Sequence, residues 1–436
     1  MTTNLILPLL VLALMAAMDA RADPMPPNFI LIMADDLGYG DLGCYGSERN
    51  PTPHIDALAS QGMKFTDYHS NGALCSPTRA ALMTGRYQQR VGISGVVTAA
   101  RHRDKGMAVE ETTIADVLSK HGYATAIFGK WHLGYEPRFN PIRQGFDEFV
   151  GFVSGNVDFF THIDQAGFKD WWHNDRLKTE EGYVTHLITR HSLRFIEENK
   201  DKPFFLYIPH LSPHYPYQGP GDQPVRTEIG QSGVTGLGGD VSQTYAEMIA
   251  EMDKGIGEIV AALDRHGLTE RTLIVFCSDN GANRNGCNGP FRDGKGSIYE
   301  GGHRVPMIAR WPRVIPAGTV SDATVLGMDF FPTMLDAAGI KTPDNLDGIS
   351  IMPVLRADAN LPERTVFWSV GKHAAARRGP WKLVIRRGDR KDGGSLYHLG
   401  DDPAEEAPVN NPEVQKPLRK ELDAWLESWA DVPQQS

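Results

Sequence analysis

Four apolar runs set the rhythm of the chain: NFILIM at 28–33, YATAIF at 123–128, PFFLYIP at 203–209 and TLIVFC at 272–277. Their length and their lack of polar alternation predict strands buried on both faces. Between them, apolar residues recur at three- and four-residue spacing. Ile55, Leu58 and Ala59 mark a short helix over 53–62, and ETTIADVLSKHG marks another over 111–122 with a Gly stop. Helices are also expected at 183–199, 245–263 and 328–338; in the second, Tyr245, Met248, Ile249, Met252, Ile256, Ile259, Val260 and Leu263 share one face. Alternating strands and helices predict an α/β fold, which builds its sites where strands end. Each run does end on polar residues: Asp35-Asp36, GKWHLG, HLSPH and SDNG.

Other stretches lack this rhythm. Residues 135–183 are rich in Gly, Phe, Trp, Asp and His without periodicity, and read as loops over a site; Trp171 and Trp172 could stack on a sugar but are read first as packing the loop. Residues 219–240 read as a Gly/Pro/Gln-rich loop. From about Thr342 the character changes to short strands at 366–370, 381–385 and 396–399, followed by an amphipathic helix at 414–429.

At 436 residues, 41% hydrophobic and 22% charged, the chain can bury a large core. Its net charge of −10 and pI near 5.8 argue against a nucleic-acid partner. The run LILPLLVLALMAAM at 4–17 is short for a membrane span and is followed by Ala20-Arg21-Ala22, a signal-peptidase pattern. We therefore expect a leader at 1–22 and export, periplasmic or secreted, without a stable membrane anchor. Four cysteines, Cys44, Cys75, Cys277 and Cys287, are too few for a disulfide framework; a Cys277–Cys287 bridge is open.

The most informative stretch is LCSPTRAALMTGR at 74–86. Ser76 can cap a helix, Pro77 suits its first turn, Ala80–Met83 favour it and Gly85 can end it. Cys75 then sits just ahead of a helix N-terminus, which favours an anion, and Arg79 follows one turn later. In GKWHLG, Lys130 and His132 alternate with Trp131 and would face the same way if the strand continues.

The C-x-P-x-R string of Cys75, Pro77 and Arg79, extended to CSPTRAALMTGR, resembles the sulfatase family, with Thr78 where many members have Ser. The resemblance runs over nearly the whole chain after the leader. It implies an alkaline-phosphatase-like sandwich, with a large central mixed sheet flanked by helices and a smaller C-terminal antiparallel-sheet subdomain. The catalytic domain would span 23–341 and the subdomain 342–436. It implies that Cys75 is oxidised to formylglycine by a maturation enzyme and acts as a hydrated-aldehyde nucleophile. It gives Arg79, Lys130, His132, His214 and Lys295 catalytic or sulfate-binding roles. Asp35, Asp36, Asp279 and Asn280, with residue 75, would hold a metal; an all-oxygen set suits Ca²⁺ first and Mg²⁺ second. His214 would protonate the leaving alcohol and His132 would act as base. His69 and His210 are read as structural or supporting, and His303 is given no role.

GPFRDGKGSIYEGG at 289–302 is similar to the arylsulfatase A and N-acetylgalactosamine-6-sulfatase branch, which implies a sulfated carbohydrate or aryl sulfate as substrate. The alternatives are a phosphate or phosphonate monoester hydrolase of the same superfamily, and a non-catalytic anion-binding relative.

Overall fold

The four apolar runs lie side by side in the computed structural model, which describes residues 25–229, 240–386 and 393–435. The expected leader at 1–22 and part of the 219–240 loop lie outside the described residues. The strands in chain order are β1 (Asn28–Ala34), β2 (Met63–Phe65), β3 (Tyr68–His69), β4 (Ala124–Lys130) and β5 (Glu148–Phe152). There follow β6 (Trp172–His173), β7 (Arg176–Leu177), β8 (Phe204–Pro209), β9 (Thr272–Ser278), β10 (Met307–Arg310), β11 (Thr319–Ser321) and β12 (Val325–Leu326). Ten of them form one sheet in the order β11-β2-β10-β9-β1-β8-β4-β5-β6-β7. β9, β1, β8, β4 and β5 are parallel, while β10 and β6 run antiparallel to their neighbours, so the sheet is mixed, as expected.

The central strands are buried on both faces because each face is covered. Ile30, Ile32, Phe128, Leu206, Ile208 and Phe276 pack under the helices Pro53–Ser60, Val184–Glu198 and Val241–Arg265. Phe29, Leu31, Met33, Ile127, Tyr207 and Val275 pack on the other side, against Cys75–Thr84, Ile114–Lys120 and Phe330–Ala337. The Ile114 helix opens on a capping box in which Thr113 and Asp116 satisfy each other's backbone N–H.

The region 135–183 departs from expectation, since it supplies the regular strand β5 and the ribbon β6–β7. EFVGF is short, and its glycine hides the strand pattern. Gly151 lies in register with Gly129 of β4. Both have positive φ (152° and 127°), and a Cβ on Gly151 would stand 2.0 Å from the Gly129 carbonyl oxygen. β2 and β10, three and four residues long, are too short to show a strand pattern in the sequence.

A second sheet, β13 (Val366–Val370), β14 (His373–Arg378), β15 (Trp381–Ile385) and β16 (Ser395–His398), is antiparallel throughout. The Pro412–Glu427 helix lays Leu418, Leu422 and Trp425 against it. A layer of buried charge joins this sheet to the main body. Arg377 on β14 forms a bidentate pair with Asp67 (2.8 and 2.9 Å), and Lys382 on β15 reaches Glu300 (2.9 Å) and Glu405 (3.0 Å). His69 and His303 join the layer with their Nδ1 atoms 2.9 Å apart, so one donates and the other accepts. Burial lowers both of their pKa values. His69 is structural, as expected, and His303 is built into the same layer.

Candidate active site

Register brings the polar strand ends to one level. Ala34 pairs with Ser278 and Met33 with Pro209, so Asp35, Asp279 and His210 begin side by side beyond β1, β9 and β8. Backbone bonds stitch them: His210 N–H to the Met33 carbonyl (2.8 Å), Asp35 N–H to Ser212 (3.0 Å) and Asp279 N–H to Ala34 (3.2 Å). Lys130, the last residue of β4, is fully buried and its Nζ lies 2.6 Å from Asp35 Oδ2.

The helix expected to start at Pro77, after a Ser76 cap, begins two residues earlier. Leu74 is its N-cap and Cys75 its first residue. The Ser76 hydroxyl cannot cap, because it accepts the Val97 N–H at 3.1 Å. Gly85 ends the helix as expected, in the left-handed conformation, with its N–H on the Ala81 carbonyl (2.8 Å). Cys75 is buried, and desolvation outweighs the pull of Lys130 and Lys295 to push its thiol up to about 11. All four cysteines are free thiols, so the Cys277–Cys287 bridge is not formed.

Cations and carboxylates interleave around Cys75. Arg79 is buried and donates to Asp279 Oδ2 (2.8 and 3.2 Å) and to the Lys130 carbonyl (2.9 Å). Lys295 Nζ lies 2.5 Å from Asp36 Oδ1 and 3.4 Å from Cys75 Sγ. Asn280 Nδ2 donates to the same Asp36 oxygen at 2.8 Å. Burial alone would raise the Asp36 carboxyl, but Lys295 and His214 hold it well below the usual range. Asp279 goes the other way: burial and the charge of Asp35 lift it to about 6 against the pull of Arg79.

Two oxygens in this cluster, Asp35 Oδ1 and Asn280 Oδ1, are buried without a hydrogen-bond partner. Buried acceptors are ordinarily satisfied, and two orphans among three carboxylates fit a hard, oxygen-seeking cation. Asp35, Asp36, Cys75 and His214 bring ligand atoms within 4.8 Å of one another.

The two histidines enter differently. β4 does not continue through His132: its φ is 60°, which turns the ring out of the strand's alternation. His132 Nε2 donates to the Val97 carbonyl (3.0 Å), which leaves Nδ1 buried and bare. Burial and the neighbouring cations keep it neutral. Gly155 makes room for this ring, since a Cβ there would stand 2.8 Å from Nε2; no motif marked it. His214 Nδ1 bonds the Tyr215 carbonyl (2.5 Å), and its Nε2 faces Asp36 Oδ2 at 3.6 Å. Burial lowers His214 to about 3, opposed by Asp36. His210 is buried, and neither ring nitrogen has a partner. Trp171 and Trp172 donate to Glu180 and Asp170 (2.7 Å each), which ties them into the loop.

All ten residues singled out in the sequence thus converge at the ends of β1, β4, β8 and β9 and the start of one helix. The Sulfatase family model matches residues 27–340, and that for the N-sulphoglucosamine sulphohydrolase C-terminal region matches 291–431. N-acetylgalactosamine-6-sulfatase of Mus musculus is 33% identical over 92% of this chain and 85% of its own. Arylsulfatase A of Homo sapiens is 36% identical over 82% of this chain and 73% of its own. The crystal structure of Ps i-CgsB in complex with k-i-k-neocarrahexaose has a TM-score of 0.82 at 32% identity, with 94% of each chain covered. A match over most of the main sheet, joined to relatives of this identity, establishes that the chain belongs to the sulfatase family of sulfuric ester hydrolases.

Proposed function

We propose that the chain hydrolyses sulfate monoesters of sulfated carbohydrates, with Cys75 as the site of the nucleophile. The observation that carries this reading is the ring of cations, buried Arg79 and Lys130 and half-buried Lys295, around a side chain in the first turn of a helix. Such a ring neutralises a sulfate and meets the charge that develops as the ester bond breaks. As a thiol, Cys75 is protonated at neutral pH and a poor nucleophile. That supports its conversion to formylglycine, which would supply a hydrated aldehyde as nucleophile. Asp35, Asp36, Asp279 and Asn280 would hold Ca²⁺, which would supply positive charge beside the ester and lower the pKa of the nucleophilic hydroxyl.

The remaining work falls to side chains of this chain. Lys295 lies close enough to Cys75 to bind a sulfate oxygen there, and Arg79 holds Asp279 and the Lys130 backbone in place. His132, with Nε2–H committed to Val97, offers Nδ1 to accept a proton. His214, anchored through Nδ1, presents Nε2; protonated there beside Asp36, it can donate to the leaving oxygen. An approaching anionic ester raises the proton affinity of that nitrogen.

The leader at 1–22 would direct export, residues 23–341 would form the catalytic unit and 342–436 the subdomain beside it. No helix among the described residues is long and apolar enough to cross a membrane. Incubation of the matured protein with defined sulfated saccharides, with free sulfate as the readout, tests the reading. Release from a sulfated sugar is expected; release of phosphate from a phosphomonoester with no release of sulfate would replace it.

A further inference from the structure

Beside Lys295 opens a cleft of about 790 Å³, within the usual size of a small-molecule site. One wall carries Tyr215 and Tyr217, directly after His214; the other is the turn 282–289, directly after Asp279 and Asn280. This turn is held in shape. Asn288 both accepts the Ala282 N–H and donates to its carbonyl, at 2.8 Å each, and the Cys287 backbone is tied to Gly40 (2.8 Å) and Asp41 (2.9 Å). Asn283 Nδ2 bonds the Tyr217 hydroxyl at 2.8 Å and so links the two walls. A cleft fixed before the ligand arrives loses little entropy when it is filled.

The chemistry of the walls is specific. Tyr215 is 43% exposed, with Arg226 packed 5.5 Å from its ring centroid, and it offers an aromatic platform of the kind on which a sugar ring rests. Arg226 is occupied by Asn156 (2.5 Å), and nearby Arg292 by the Glu405 carbonyl (2.8 Å). Arg284, on the cleft wall, is different: among the described residues its exposed guanidinium has no carboxylate or acceptor. The cleft does contain one carboxylate, Asp293, which accepts the Ser297 hydroxyl at 2.9 Å.

We infer that this cleft is the binding site for the carbohydrate beyond the scissile sulfate, and that Arg284 takes a second anionic group, a sulfate or carboxylate, on that carbohydrate. The inference rests on the hydrolase reading, which places the reacting sulfate at Cys75 next to Lys295. A planar guanidinium without a partner suits a tetrahedral or planar oxyanion better than a hydroxyl. The preferred substrate is then an oligosaccharide with at least two negative charges.

The test compares the matured wild type with Arg284→Ala and Arg284→Lys on three substrates: 4-nitrophenyl sulfate, a singly sulfated disaccharide and the same disaccharide with a second sulfate. In Arg284→Ala, kcat/KM for the doubly sulfated sugar should fall about ten- to hundredfold relative to the singly sulfated one, as for loss of a hydrogen bond to a charged group. Hydrolysis of 4-nitrophenyl sulfate should be unchanged, and Arg284→Lys should recover part of the loss. An unchanged ratio between the two sugars, or an equal loss on all three substrates, would overturn the assignment. Calorimetric titration with the doubly sulfated disaccharide keeps the two readings apart. If the wild type releases no sulfate from any substrate, the hydrolase reading fails. The cleft still stands if Arg284→Ala binds the sugar at least about tenfold more weakly than wild type, and falls if the two bind alike.

Discussion

Lys295 Nζ bridges Cys75 and Asp36, 3.4 Å from the sulfur of one and 2.5 Å from an oxygen of the other. One ammonium therefore touches both the side chain expected to carry the nucleophile and a carboxylate expected to hold the metal. Burial opposes its charge, yet the surrounding carboxylates and Cys75 hold its pKa well above normal, so it stays a cation.

Active protein should carry an aldehyde at position 75. Peptide mass spectrometry should find formylglycine or its hydrate in place of the thiol. Cys75→Ala should lower turnover at least about a thousandfold, as for other lost nucleophiles, with an unchanged far-UV spectrum. A fully active sample that contains only the thiol would sink this expectation.

Chelation should inactivate the enzyme and Ca²⁺ should restore it, because Asp35 Oδ1 and Asn280 Oδ1 otherwise stay buried without a partner. Ca²⁺ should also raise the melting temperature, since a ligand that binds only the folded state stabilises it. Asp279→Ala should lose both the thermal shift and about a hundredfold or more in activity. Full activity after exhaustive demetallation would rule out the metal reading.

The two histidines should separate kinetically. Loss of His214 should cost about 10²–10⁴ on sugar sulfates, whose alkoxides need a proton, and far less on 4-nitrophenyl sulfate. Loss of His132, whose bare Nδ1 marks it as the base, should let alcohol appear in a burst ahead of sulfate. Rapid-quench measurement of both products reads the difference. Equal losses on all substrates, with alcohol and sulfate released in step, would mean that both histidines only bind.

Legibility followed burial. FILIM, FFLYI and LIVFC could be read as strands because a strand covered on both faces has no polar alternation to confuse it. The residues at their ends were legible through the resemblance of their motifs to the sulfatase family, and the pairing of β1 with β9 brings Asp35 and Asp279 together. What the sequence hid depends on distant partners. Nothing local shows that Ser76 spends its hydroxyl on Val97, that Gly155 clears space for His132, or that EFVGF pairs with β4. Glu300, in a Gly-rich signature, gave no hint of its pairing with Lys382, since 82 residues separate them.

That pairing predicts a pH signature. Burial alone would raise the Glu300 carboxyl, but Lys382, His69 and Arg377 outweigh it and hold the pKa well below 4.5. A carboxyl depressed on folding contributes stability above its unfolded pKa and loses it as pH falls toward the folded value. Glu300→Gln should therefore cost about 3–5 kcal/mol at pH 7, as when one partner of a buried pair is removed. The gap to wild type should narrow steadily below about pH 4.5. Thermal melts from pH 7 to pH 3 measure it; a constant gap would mean that the cost is one of packing.

The buried charge layer also limits how this protein can be recombined. A C-terminal sheet from a relative, grafted at 342, would arrive with its own residues at the positions of Arg377 and Lys382. Unless these were again cations of the same reach, the buried carboxylates of Asp67 and Glu300 would lose Arg377 and Lys382 and be left to share Arg304, 3.3 Å from each. Glu300 follows Lys295 by five residues, so the fault would spread to the Lys295 contact with Cys75. Chimeras should tolerate exchange of the 412–427 helix, which meets its sheet through Leu418, Leu422 and Trp425, far better than exchange of β14 and β15. For a breeder of hybrid enzymes, the safe seam lies inside the subdomain and not at its edge.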